Sequence, residues 1–300
     1  SMDREVVCRA LESVHNINGA EYLEKIVQIP FEIPALMKPK LREILLTNLE
    51  DIVKAISDTP KIDKSYWSEV FVNCIEPYIK TLRDVNRVIN IFQFRYKILY
   101  EETAIEDMVA LTTIEVLEPQ LYQWISRNKD LLCSTYFHSF SALYRNKSDY
   151  RTSICEELRK LGMNTDIGIK FLSTLFPVFA NDIDECDYKY TESNIRETMR
   201  VAQEERFDSY FMFDLKKIPI SRYIINNCIN ELELNDLIVV VSKINDAGNI
   251  EYFIDELSSL VDTIPTERLG LLSLVILNVL HKFSQNSQFF MLSAYTKAEF

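Results

Sequence analysis

Apolar residues recur every three or four positions through most of this chain, the spacing of helices laid against a core. In "LRDVNRVINIFQFRYKIL" (82–99), Val85, Val88, Ile89, Phe92, Tyr96 and Leu99 form one such stripe. Thr81 stands as N-cap before it and Asp84 follows three residues on, a capping box in weakened form. "DREVVCRALESVHN" (3–16) carries Val6, Val7, Ala10, Leu11 and Val14 on one side and reads as a short amphipathic helix, followed by a helical turn at 20–25. From Lys38 the same period predicts helices near 38–58, 64–79, 82–99, 104–127, 131–145, 149–161, 166–176, 191–204, 206–213, 219–231, 234–244, 249–261, 266–284 and 286–297. Breaks fall at Pro60, Gly162, the acidic "NDIDECDYKYTES" (181–193), Pro219, "NDAGN" (245–249) and Pro265.

One segment departs from this period. In "KIVQIPFEIP", Ile26, Gln28, Phe31 and Ile33 alternate, and Pro30 and Pro34 punctuate the run, which predicts a strand near 26–33. One strand cannot form a sheet by itself. The expected fold class is therefore mainly α, a multi-helix array with at most a remnant strand. Helical hairpins follow one another near the C-terminus, but no fixed repeat length links them.

Composition agrees. The 300 residues are 47% hydrophobic with only 5 glycines and 9 prolines, too few for the turns of a sheet-rich fold. The six cysteines (Cys8, Cys74, Cys133, Cys155, Cys186, Cys228) form no CxxC, and His15, His138 and His281 lie at no zinc spacing from a cysteine pair. They read as reduced thiols of a cytoplasmic protein. The longest apolar run, "LGLLSLVILNVL" (269–280), is well short of the ~20 residues a membrane-spanning helix needs. No signal peptide is visible, and Ser1-Met2 reads as a cleavage scar before a start codon. Net charge is −12; residues 1–100 hold 14 basic and 14 acidic side chains, so the excess acid (19 basic, 31 acidic) lies in 101–300. Such a surface repels a phosphate backbone and argues against extended nucleic-acid binding, while the neutral first third can hold a small anion.

Several chemistries are excluded by what is missing. No glycine has a partner at the spacing of GxxxxGK[ST] or GxGxxG, and there is no GxSxG, HExxH or EF-hand loop. Asp182, Asp184, Glu185 and Asp187 lack the glycine turn of a calcium loop and read as a solvated acidic stretch. Cys133 and His138 are close in sequence, but a buried thiol with an unrelated histidine is the better reading than a nucleophile pair. The aromatic "RFDSYFMFDL" (206–215) sits in acidic surroundings and reads as packing rather than a base-stacking platform.

Arg83 and Arg87 stand apart because local physics opposes them. A cation in the first turn of a helix faces the positive end of the macrodipole, at a cost of about 0.3–1 kcal/mol. Two guanidiniums one turn apart repel as well. An anion, most simply phosphate, clamped by both side chains and by backbone N–H groups would account for the pair. From this stretch alone, a pair of surface arginines bridged to carboxylates elsewhere is the slightly better account.

Taken in order, "DREVV", "GAEYLEKIVQIPFEIP", "LRDVNRVINIF", "MVALTTIEVLEPQLYQWI", "LFPVF" and "RFDSYFMFDL" resemble the C-terminal half of the KAP family of P-loop NTPases. The resemblance is strongest over 3–140 and patchy to about 225. It implies that Asp3 and Arg4 match a sensor-1-like element and that "KIVQIPFEIP" is the last core strand. "LRDVNR" resembles the helix of the lid whose sensor-2-like arginines approach the nucleotide phosphates. Arg83 and Arg87 match those arginines, with Leu82 where the family has proline and Asn86 where it has lysine.

The resemblance further implies that residues 1–35 are a remnant of the NTPase core, 36–180 a helical lid and first lobe, and 181–300 a C-terminal helical lobe. ATP and Mg2+ belong to a roughly twofold longer protein carrying the Walker A and Walker B motifs, and this chain by itself is not expected to hydrolyse ATP or to hold either ligand. Bacterial members of the family resemble components of anti-phage defence. The acidic helical region then becomes the expected surface for a protein partner or for self-association. The rival expectation is a nucleotide-independent helical scaffold in which both arginines are structural.

Overall fold

The computed structural model describes residues 4–15, 18–27, 36–57, 60–133, 147–183, 192–212 and 218–283. Every regular element among them is a helix, as the periodicity predicts, and no strand occurs among the described residues. The chain divides into two units, 1–37 and 38–300.

The first unit is a helical hairpin of α1 (Arg4–His15) and α2 (Gly19–Ile26). Asn18 caps α2, its Oδ1 accepting from the N–H groups of Ala20 (3.1 Å) and Glu21 (3.3 Å). Gly19 lies so close to the backbone of Cys8 that a Cβ there would meet its Cα at 2.7 Å. Only glycine lets the two helices approach this closely. Ile26, the expected first residue of the strand, instead closes α2, and Gln28, Phe31 and Ile33 lie outside the described residues.

The second unit opens with α3 (Lys38–Ile56), which buries Leu41, Leu45, Leu49, Ile52 and Val53. α4 (Lys64–Val70) starts at Asp63, whose carboxylate caps Ser65 and Tyr66, and continues into one π-helical turn, Phe71–Ile75, that ends the helix expected over 64–79. α5 (Leu82–Leu99) keeps its predicted bounds and inner face. The capping box is complete: Thr81 Oγ1 accepts from Asp84 N–H at 3.2 Å, and Asp84 Oδ2 accepts from Thr81 N–H at 2.8 Å.

α6 (Ile105–Leu117) is buried on all sides from Ile105 to Ile114 and packs against α4, the π turn, α5 and α7 (Pro119–Arg127). The single helix expected over 104–127 is broken because Pro119 holds Glu118 out of helical conformation and itself opens α7. α8 (Lys129–Cys133), α9 (Lys147–Lys160), α10 (Thr165–Leu175), α11 (Pro177–Asp182), α12 (Glu192–Glu197) and α13 (Glu204–Met212) complete the surroundings of one apolar cluster running from Leu41 to Tyr210. The aromatic "RFDSYFMFDL" contributes Phe207 and Tyr210 to it, which is the packing role expected.

A second cluster, Ile220 to Val279, is built by α14 (Arg222–Asn230), α15 (Leu234–Asp246), α16 (Ile250–Ser259) and α17 (Thr266–Phe283). Arg268 fastens the start of α17 to the end of α14, donating to the carbonyls of Cys228, Ile229 and Leu232 at 2.8–2.9 Å. α16 also packs on α12, so the two clusters meet there. Gly162 and Gly248 end α9 and α15 in the left-handed region (φ 75° and 76°), as helix-stop glycines do. α12 ends with the same hydrogen-bond pattern, Met199 N–H to Arg196 C=O and Arg200 N–H to Ile195 C=O, yet its left-handed residue is Met199 (φ 56°).

Candidate functional site

Arg83 and Arg87 are both exposed on the outer face of the first turns of α5, while the helix's inner face is locked into the first cluster. Arg87 Nη2 donates to the carbonyl of Val116 at 2.8 Å, near the negative end of α6. Neither arginine forms an ion pair among the described residues. The anchoring is one-sided: at the other end of the same helix, Arg95 is 1% exposed and donates to Glu115 Oε2 (2.5 Å), Tyr122 Oη (2.9 Å) and the Tyr210 carbonyl. α5 therefore presents two cations from a helix held rigidly from behind. Arg4, the first residue of α1, is exposed and belongs to the other unit; Asp3 lies outside the described residues.

The interior holds charges that periodicity alone does not reveal. Glu256 on α16 is fully buried and accepts from Gln203 Nε2 at 2.7 Å, with Arg206 Nη2 and Arg222 Nη2 at 3.5 Å and Arg196 Nη1 at 3.7 Å. Glu102 takes Arg206 Nη1 at 2.7 Å and the backbone N–H of Arg222 at 2.8 Å. These bonds join helices that build the two apolar clusters. Asp107 accepts from Tyr66 Oη and from Val201 N–H (2.7 Å), and Arg200 lies 3.9 Å from it while stacking over the Tyr66 ring at 3.6 Å. Burial pushes the Asp107 carboxyl up, and Arg200 offsets part of that rise.

Beside Asp107, Glu106 is 4% exposed and lines a cavity of about 110 Å³ between the starts of α4 and α6, the end of α5 and the end of α12. Its Oε1 accepts from Asp63 N–H at 2.9 Å, and it has no ion-pair partner among the described residues. Desolvation raises its carboxyl from 4.5 to about 7, beyond what that hydrogen bond and Arg200 can offset. The signal in the sequence was "IED" opening an otherwise apolar helix.

Cys133 is buried, its Sγ 3.7 Å from the Val201 carbonyl, and burial pushes its thiol well up, the reverse of what a nucleophile needs. His138 lies outside the described residues, as do Asp184, Glu185 and Asp187. Among the described residues no helix is long and apolar enough to cross a membrane, and no three His, Cys, Asp or Glu side chains are grouped to hold a metal.

The segment from the chain's start to the last residue of α5 carries both Arg4 and the Arg83–Arg87 pair. Residues 1–99 match the KAP family P-loop domain. The resemblance read from the sequence is thus found independently, and the KAP match ends where α5 ends. A relative from Escherichia coli (strain K12), the phage T7 exclusion protein, is 28% identical over 126 residues, which is 41% of this chain and 17% of that protein. The chain therefore aligns with less than a fifth of that relative's length. No solved structure matches.

Proposed function

We propose that this chain forms the lid and helical effector region of a KAP-type ATPase, with Arg83 and Arg87 reaching phosphates of a nucleotide bound by a P-loop that its 300 residues do not contain. The observation that carries this reading is the pair itself: two exposed cations one turn apart at a helix N-terminus, inside the matched segment, in no ion pair among the described residues while Asp84 between them is taken up by the capping box. Guanidiniums so placed lower the energy of charge developing on a transferring phosphoryl group. Arg4 and Asp3 take the sensor-1-like position in this reading. ATP with Mg2+ supplies the reacting phosphates and their counter-charge in the intact protein.

The buried bonds of Arg95 make α5 move with α6 and α13 as one piece, so a displacement at the phosphates would reach the acidic region beyond residue 100. That region then offers the surface for a protein partner or a second copy. Exclusion of phage is the proposed biological setting, by analogy with the phage T7 exclusion protein of E. coli, in a bacterial cytoplasm.

The test is ATP turnover by the intact protein carrying Arg83→Ala or Arg87→Ala, with phage plating as the cellular readout. A loss of kcat of about 10²-fold or more is expected for at least one variant. Full turnover in both removes the arginines from the site.

A nucleotide-independent scaffold is the second reading, and the bond from Arg87 to the Val116 carbonyl favours it. It predicts that partner capture by the intact protein is the same with and without ATP.

A further inference from the structure

We propose that the cavity beside Glu106 is a binding site for an organic ammonium group. The inference is independent of the nucleotide reading, since this cavity sits at the C-terminal end of α5, about 25 Å of helix away from Arg83 at ~1.5 Å per residue.

The charge balance of the walls selects a cation. Asp63, Glu106 and Glu197 face it against Lys61 and Arg200. Arg200 is already engaged: it stacks on Tyr66, donates to the Thr174 carbonyl at 3.0 Å and lies against Asp107. Asp63 is likewise committed to capping α4. Glu106 is the buried carboxyl whose charge no cation meets directly, and a guest ammonium would supply the missing partner.

The remaining walls suit the same guest. Tyr96 and Tyr100 flank the cavity with their rings tilted at 56° and centroids 5.8 Å apart. Aromatic faces with a carboxylate form the usual recognition set for ammonium groups. An inorganic cation is disfavoured because no three acidic, thiol or imidazole ligands converge among the described residues. The volume of about 110 Å³ fits the head of an alkylammonium rather than a nucleotide or a peptide backbone. The group can arrive as a free amine or as a lysine side chain of another protein.

The experiment is a titration of the whole chain at pH 8 by NMR or calorimetry, with n-butylammonium chloride and, separately, Nα-acetyl-lysine methylamide, each against matched NaCl. Saturable binding of n-butylammonium is expected. Glu106→Gln, which keeps an acceptor for Asp63 N–H, should weaken it at least about tenfold, and Tyr100→Leu should weaken it without unfolding the chain. Lowering the pH from 8 to 6 should also weaken it about tenfold, because the primary amine stays charged, as lysine does, while Glu106 takes up its proton. Binding of the lysine derivative assigns a protein side chain as the source; binding of butylammonium alone assigns a free amine. No saturable binding of either probe, or equal binding by Glu106→Gln, overturns the proposal.

Discussion

Replacing Glu106 with glutamine should change not only the stability of this protein but the way its stability depends on pH. In the folded chain the Glu106 carboxyl keeps its proton up to about pH 7, and in the unfolded chain only to its ordinary 4.5. Between those values the folded state binds more protons than the unfolded one, so wild-type stability falls as pH rises through that window. A carboxyl moved from 4.5 to about 7 corresponds to about 3.5 kcal/mol in all, at ~1.4 kcal/mol per pH unit.

Glutamine has nothing to titrate and preserves the bond to Asp63, so this slope should vanish in the variant. The assay is urea unfolding of both proteins at pH 5, 6.5 and 8, taking the difference in stability at each pH so that groups common to both cancel. Relative to wild type, Glu106→Gln should gain about 2.5 kcal/mol between pH 5 and pH 8. A difference that stays flat within about 0.5 kcal/mol across that range would refute the claim that burial outweighs the helix N-terminus and Arg200 at this position.

Glu256→Ala leaves Arg196, Arg206 and Arg222 without their shared carboxylate and should cost about 3–5 kcal/mol in denaturant unfolding. Met199→Val forces a β-branched residue into the left-handed region and should destabilise by about 1–2 kcal/mol, whereas Met199→Gly should not, a contrast that thermal melts read directly. Arg87→Ala should lower stability by less than about 1 kcal/mol through loss of the exposed Val116 bond, and Arg83→Ala should leave it unchanged. A large loss of ATP turnover in the same variants would then report on phosphate contact and not on folding.

α5 was legible in full because its information is local: a cap, a box and a stripe all lie within nineteen consecutive positions, 81–99. The termini at Gly162 and Gly248 were legible for the same reason. The break at Pro119 was missed although its cause is visible, because the apolar period runs on across it; the π turn at 71–75 carries no local signal. Arg83 and Arg87 could be found in the sequence, but the Val116 carbonyl that receives Arg87 is 29 residues away. The buried charges were the least legible. Glu102 meets Arg222 across 120 residues, and no periodicity encodes which partner a charge will find at that distance. Two adjacent acids at the head of an apolar helix are the only local trace of Glu106 and Asp107, and that trace was missed.

The burial of α6 on every side also sets a schedule for synthesis. Asp107 receives its bond from Val201, 94 residues later. At ~5–20 residues per second, the ribosome needs roughly 5–20 s to deliver that partner after α6 has emerged. Throughout that interval Asp107, at the head of an apolar helix, lacks one of its folded-state donors, although α4 and α5, against which the helix packs, are already made. The nascent chain therefore completes the polar bonds at the head of α6 only once about residue 201 has been delivered. A destabilising change in α12 or α13 should first lower the yield of folded protein in cells, before it moves the melting temperature of the molecules that do fold.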